Sequence, residues 1–197
     1  MQYEAIVIGV SAGGMNAIKT LCTLLPKGFR IPIVILQHVS PRSDSEWVKL
    51  LNNKSHLNIK EADEKEKIGS ATVYIAPPNY HLLIEEDKTF SFTIDERINF
   101  ARPSIDVLFE TAAEIYKNKL IGIVLTGSNS DGTNGIKRIA ECGGLTIIQN
   151  PETAESPFMP ASALGAIKPD HVLNMEDIIK LLTKIDQETS HEFNNQE

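Results

Sequence analysis

Cysteine is scarce in this chain: Cys22 and Cys142 are the only two in 197 residues, and they stand far apart. That excludes a disulfide framework and the close-spaced thiols of structural zinc sites. Long hydrophobic runs are also missing. Apolar stretches such as Ile31 to Leu36 fall far short of the ~20 residues that span a bilayer. No segment interleaves lysine and arginine with aromatics, and the net charge of −7 is spread in mixed signs, which argues against nucleic-acid binding. Nor does that charge supply a long-range attraction toward acidic partners. Met1 leads almost at once into an apolar strand pattern, so no signal peptide is expected and the cytoplasm is the expected location.

With 42% apolar and 23% charged residues, a chain of this length suits one α/β domain. Strands are predicted over about Glu4 to Gly9, Ile31 to Gln37, Thr72 to Ala76, Lys119 to Leu125 and Leu145 to Gln149, with a weak late one near His171. His81 to Ile84 and Thr89 to Ile94 read as an antiparallel hairpin. Helices fall between the strands. The first carries Ile18, Leu21, Cys22 and Leu25 on one face, and others cover Asp44 to Asn52, Ser104 to Tyr116, Gly132 to Ala140, Pro160 to Gly165 and Glu176 to Ile185. Pro103 is expected at the first helical position of its helix. Lys60 to Lys67 reads as charged surface, and the polar stretch 188–197 as a disordered tail after a domain over 1–187. Alternating elements of this kind predict a single doubly wound, mostly parallel sheet with helices on both faces and a small antiparallel hairpin.

Gly9-Val10-Ser11-Ala12-Gly13-Gly14 follows the first strand and opens a helix. A Gly-x-Ser-x-Gly pentad in that context can present a serine hydroxyl as a nucleophile, with helix-start N–H groups near a developing oxyanion. The same turn serves phosphate and dinucleotide binders, but Gly-x-Gly-x-x-Gly spacing and a Walker lysine are both missing. In an open parallel sheet, reactive groups gather beyond the carboxyl ends of the strands. Ser11, His38 and Asp131 each follow a predicted strand there, and a serine needs a base and the base a carboxylate. Each has a plain structural reading as well: His38 as a strand-end histidine bound to backbone, Asp131 as a helix N-cap. His56 and His171 sit in polar or weakly structured surroundings, whereas His81 follows a strand through Pro77-Pro78-Asn79-Tyr80 and competes as the base. Asn129 and Asp131 echo part of a calcium loop whose other ligands are missing, so neither metal nor cofactor is expected.

Six segments in order resemble the catalytic domain of the CheB protein-glutamate methylesterases. They are Ile8 to Gly14, Gln37-His38-Val39-Ser40-Pro41, Val73-Tyr74-Ile75-Ala76-Pro77, Arg102 to Phe109, Leu125-Thr126-Gly127 with Asp131-Gly132, and Gln149 to Ala154 with Met159-Pro160. The resemblance implies Ser11 as nucleophile, His38 as general base and Asp131 as its orienting carboxylate. It implies hydrolysis of γ-glutamyl methyl esters on chemoreceptor cytoplasmic helices, with deamidation of selected glutamines. Backbone N–H groups at Ala12 and in the Gly127-Ser128 loop are the candidate oxyanion donors, with Ala12 and Ser128 preferred.

Two departures bear on substrate and control. The family pattern Thr-Gly-Met-Gly-x-Asp-Gly is here Thr126-Gly127-Ser128-Asn129-Ser130-Asp131-Gly132, which changes the wall over the site. The family's N-terminal receiver domain is not expected in this chain, so control by a separate receiver-type regulator, constitutive activity or a different substrate follow as expectations. A stand-alone serine hydrolase for another ester or amide, and a non-catalytic signalling or binding module on the same fold, are the alternatives. Arg102 reads as scaffold or as a contact for an acidic substrate helix. Met159 reads as core or as a lip of the site.

Overall fold

The computed structural model describes residues 3–40, 43, 46–98 and 101–194. The central strand β1 (Ala5–Val10) is buried along its whole length. Ile6, Ile8 and Val10 enter one core cluster, while Ala5 and Val7 enter the other, as the period of two in a strand requires. Helix α1 (Gly14–Leu24) follows directly and packs in the first cluster through Ile18, Leu21 and Cys22. Next come β2 (Ile33–Gln37), α2 (Glu46–Asn52), β3 (Asn58–Glu61) and β4 (Thr72–Ile75). The sequence-predicted start of α2 at Asp44 lies outside the described residues.

The predicted hairpin forms from β5 (His81–Ile84) and β6 (Phe90–Thr93), which pair antiparallel apart from the main sheet. After it come α3 (Ile105–Tyr116), β7 (Leu120–Val124), α4 (Thr133–Glu141), β8 (Leu145–Gln149), α5 (Phe158–Ala166), β9 (His171–Leu173) and α6 (Met175–Asn194). Seven strands make one parallel sheet in the order β3-β4-β2-β1-β7-β8-β9. Residues of α1, α2 and α6 cover one face, and residues of the hairpin, α3, α4 and α5 cover the other. The fold is therefore doubly wound, as expected. From β1 the chain builds outward through β2 and later crosses to β7, so the order reverses at β1. The crevice of such a sheet opens at the carboxyl ends flanking that reversal. Among the described residues no helix is long and apolar enough to cross a membrane.

Three local expectations are corrected. Lys60 and Glu61, expected within a charged surface segment, belong to the edge strand β3; only Ile59 of its four residues is buried, so its pairing with β4 leaves little trace in the hydropathy pattern. Helix α3 begins at Ile105 with Ser104 as an extended N-cap, so Pro103 precedes the cap instead of opening the helix. Helix α6 runs on to Asn194, past the predicted end at Ile185, and 195–197 lie outside the described residues.

Candidate active site

Ser11 stands one residue beyond β1, and its N–H donates to Thr126 O at 3.0 Å, tying the strand end to the segment that follows β7. The chain then reverses into α1 through Gly13, whose φ of +78° is in the left-handed region; a Cβ there would also stand 2.7 Å from Glu155 Cβ. The positive φ needed at this turn thus falls two residues after the serine. Gly9 serves by close approach: a Cβ on it would lie 2.4 Å from Ile105 Cγ2, so its absence lets the start of α3 lie against β1.

His38 follows β2, the neighbour of β1, and its N–H donates to Val10 O at 3.1 Å. The ring bridges the other two predicted residues. Nδ1 lies 3.2 Å from Ser11 Oγ and Nε2 lies 2.9 Å from Asp131 Oδ2. A carboxylate only accepts, so the hydrogen-bond network assigns the ring proton to Nε2 and leaves the Nδ1 lone pair facing the serine. The histidine side chain is 14% exposed and the aspartate fully buried.

Asp131 lies between β7 and α4, yet it does not cap the helix that follows it. Gly132 takes the N-cap position of α4 in a left-handed conformation. The Asp131 carboxylate instead reaches the start of α3. Oδ2 accepts from the Ile105 N–H at 2.7 Å, and Oδ1 accepts from the Asp106 N–H at 3.1 Å and from Ser104 Oγ at 2.8 Å. A helix N-terminus is a natural anion site, because its first N–H groups lack intrahelical partners. Burial pushes the Asp131 carboxyl up, but the bonds from His38, Ile105 and Asp106 outweigh it and hold the group below its ordinary value. An ionised carboxylate on Nε2 is what fixes the tautomer that offers Nδ1 to Ser11.

Sequence reasoning assigns no role to the side chains of Gln37 and Ser104. Ser104 is wholly buried on Asp131. Gln37 Nε2 donates to Ser11 O at 2.9 Å and to His38 O at 2.8 Å, holding the backbones of Ser11 and His38 together. Glutamine ending a buried apolar strand was the available signal. Thr126 was also missed: its Oγ1 donates to Ala12 O at 2.8 Å.

Of the oxyanion candidates, Gly127 is withdrawn, since its N–H is spent on Ser156 O at 3.0 Å. Ala12 and Ser128 are both exposed. His81 is buried on β5 with both ring nitrogens on backbone, Nδ1 accepting from Ser104 N at 3.2 Å and Nε2 3.1 Å from Glu96 O. It braces the approach to α3 and has no bond to Ser11 or Asp131. His56 is exposed. Arg102 follows the scaffold reading: Nη1 donates to Ile94 O and Asp95 O, and Nη2 to Asn79 Oδ1. Met159 is fully buried against Gly127.

The family model of the CheB methylesterases matches residues 6–182. A Leptospira interrogans (serovar copenhageni) chain, whose name proposes protein-glutamate methylesterase/protein-glutamine glutaminase activity, is 61% identical over 187 residues, covering 95% of this chain and 97% of its own length. The Clostridium acetobutylicum protein-glutamate methylesterase/protein-glutamine glutaminase is 33% identical over 182 residues; that match covers 92% of this chain but 53% of the relative, so the chain spans about half of that protein. The crystal structure of the Thermotoga maritima CheB methylesterase catalytic domain superposes with a TM-score of 0.88 at 34% identity, over 94% of this chain and all of that one. By family model, close relatives and fold alike, this chain belongs to the CheB methylesterases, a family of carboxylic ester hydrolases.

Proposed function

We propose that the protein removes methyl groups from γ-glutamyl methyl esters on chemoreceptor cytoplasmic helices, with Ser11 as nucleophile, His38 as general base and Asp131 as the carboxylate that orients it. One observation carries this reading: a single imidazole touches the hydroxyl with one nitrogen, at 3.2 Å, and a buried carboxylate with the other, at 2.9 Å. Ser11 Oγ attacks the ester carbonyl while its proton passes to His38 Nδ1. The imidazolium, stabilised by Asp131, returns that proton to the departing methoxide as methanol leaves. Water then gives a proton to Nδ1 as it attacks the acyl-serine; collapse releases the glutamate and restores Ser11. A primary amide follows the same course with ammonia as leaving group, which is the glutaminase half of the relatives' names.

Ala12 and Ser128 N–H groups are the proposed oxyanion donors, a role in which loss of one donor costs about 2.7–4 kcal/mol. Exposed flanks at Ala12 and Ser128, with Ser11 only half-buried, suit a side chain presented by another protein. On this reading the catalytic unit is 1–187, it works in the cytoplasm, and a receiver-type protein is its regulator. A fluorophosphonate probe tests the nucleophile. Mass mapping finds the adduct on Ser11 in the wild type, none in Ser11→Ala, and slow labelling in His38→Ala; an adduct on another residue, or none, rejects the assignment.

A further inference from the structure

Asn129 places a second donor on the base. Its Nδ2 lies 3.1 Å from His38 Nδ1, the atom that also faces Ser11 Oγ at 3.2 Å. The amide orientation is not arbitrary, because Asn129 Oδ1 accepts the Asp131 N–H at 3.1 Å and so turns the NH2 end toward the ring. The same network puts the ring proton on Nε2, against Asp131. Nδ1 therefore offers one in-plane lone pair to two hydrogens, one from an amide and one from a hydroxyl. A single sp² lone pair cannot hold both in good alignment.

We propose that Asn129 is a positioning residue that restrains His38. In the resting site its amide shares the lone pair that must receive the serine proton. Proton transfer from Ser11 Oγ to Nδ1 requires the amide to withdraw, since an Nδ1–H and an Nδ2–H cannot face each other. Asn129 is half-buried on the Thr126–Asp131 loop between an exposed Ser128 and an exposed Ser130, which leaves its side chain room to turn. This side chain is one of the chain's departures from the family pattern, which has glycine at that place. The inference rests on the roles proposed above for Ser11 and His38.

Two substitutions separate restraint from scaffolding. Asn129→Gly removes the competing donor; phosphonylation of Ser11 rises about three- to tenfold, the factor carried by one neutral hydrogen bond. Asn129→Asp keeps the acceptor for the Asp131 N–H but turns an anionic oxygen toward Nδ1, which favours the protonated ring. Labelling at neutral pH then slows, and the acid limb of the rate profile moves to higher pH. Charged groups that face this network from the described residues include Asp131, Asp106 one hydrogen bond behind it, Glu110, which interacts electrostatically with both, and Glu155 beside Gly13. All four are unchanged in both variants, so the difference between their profiles reports position 129.

A purely structural role gives the opposite order, with the glycine variant slowed and the aspartate variant near wild type. That order, or equal rates in all three proteins, overturns the inference while leaving the nucleophile standing. Failure of wild type to label at Ser11 overturns both. Thermal melts of the variants identify any loss of labelling that comes from unfolding.

Discussion

Asp106 donates its backbone N–H to Asp131 Oδ1 at 3.1 Å, while its own carboxylate accepts the Gly135 N–H at 2.8 Å. Each aspartate thus serves the first turn of the other's helix: Asp131, just before α4, caps α3, and Asp106, in α3, caps α4. The two carboxyls nevertheless diverge. Burial dominates at Asp106 and pushes it up, whereas the bonds from His38 and the α3 N–H groups hold Asp131 down. The bonds that hold the proposed triad carboxylate are therefore also a junction between two core helices.

Replacing Asp131 affects both stability and turnover. Asp131→Asn offers a donor where the native group only accepts, and we expect at least about 2 kcal/mol of destabilisation at neutral pH. Turnover is expected to fall about 10³–10⁴-fold through loss of the productive tautomer. Because the folded-state value of Asp131 is lowered, its stabilising contribution is present above the ordinary carboxylate value of ~3.9 and is lost as pH falls through the lower folded value. Urea unfolding of both proteins should show their gap narrowing as pH is lowered below about 4. A gap independent of pH would deny that the charge of Asp131 contributes to stability.

Gly9 sets the distance from β1 to α3. Gly9→Ala drives a methyl into Ile105 Cγ2 and crowds Phe109, at a cost of about 1–3 kcal/mol. The displaced Ile105 N–H loosens its bond to Asp131, so esterase activity should fall by more than the folded fraction does. Activity proportional to folded protein would show that the site tolerates the shift.

The strands that carry the proposed triad were legible because they are strong apolar runs followed by a chemically distinctive residue: Ile6 to Ile8 before Ser11, Ile33 to Gln37 before His38, Ile121 to Leu125 before Asp131. Their spatial order could not be read so directly. That β2, β1 and β7 are neighbours depends on crossovers between segments far apart in sequence. The partner of Asp131 was hidden for a similar reason. An aspartate before a helix suggests a local cap, yet its carboxylate serves a helix that begins 26 residues earlier at Ile105. Edge strand β3 escaped because backbone pairing, rather than burial, defines it. Gln37 and Asn129 act through hydrogen bonds that no periodicity encodes.

Gln37 holds the Ser11 and His38 backbones in register, and its loss should appear in the chemical step. Gln37→Leu is expected to lower kcat about tenfold, roughly 1.4 kcal/mol of barrier, with little change in KM. A raised KM at unchanged kcat would place its role in substrate binding instead.

Cys22 is fully buried on the inner face of α1, and burial pushes its thiol up to about 12. With almost no thiolate at neutral pH it should resist alkylation in the folded protein. Iodoacetamide under native conditions should therefore leave Cys22 unmodified, with Cys142 taking whatever label enters, and both should react in urea. Rapid native labelling of Cys22 would contradict the packing of that face.

The most direct measurement is methanol release from a methylated chemoreceptor cytoplasmic fragment, with wild type and Ser11→Ala compared side by side. The account predicts release by the wild type and none above background by Ser11→Ala. Undiminished release by Ser11→Ala, or none by wild type from a demonstrably methylated fragment, would contradict it.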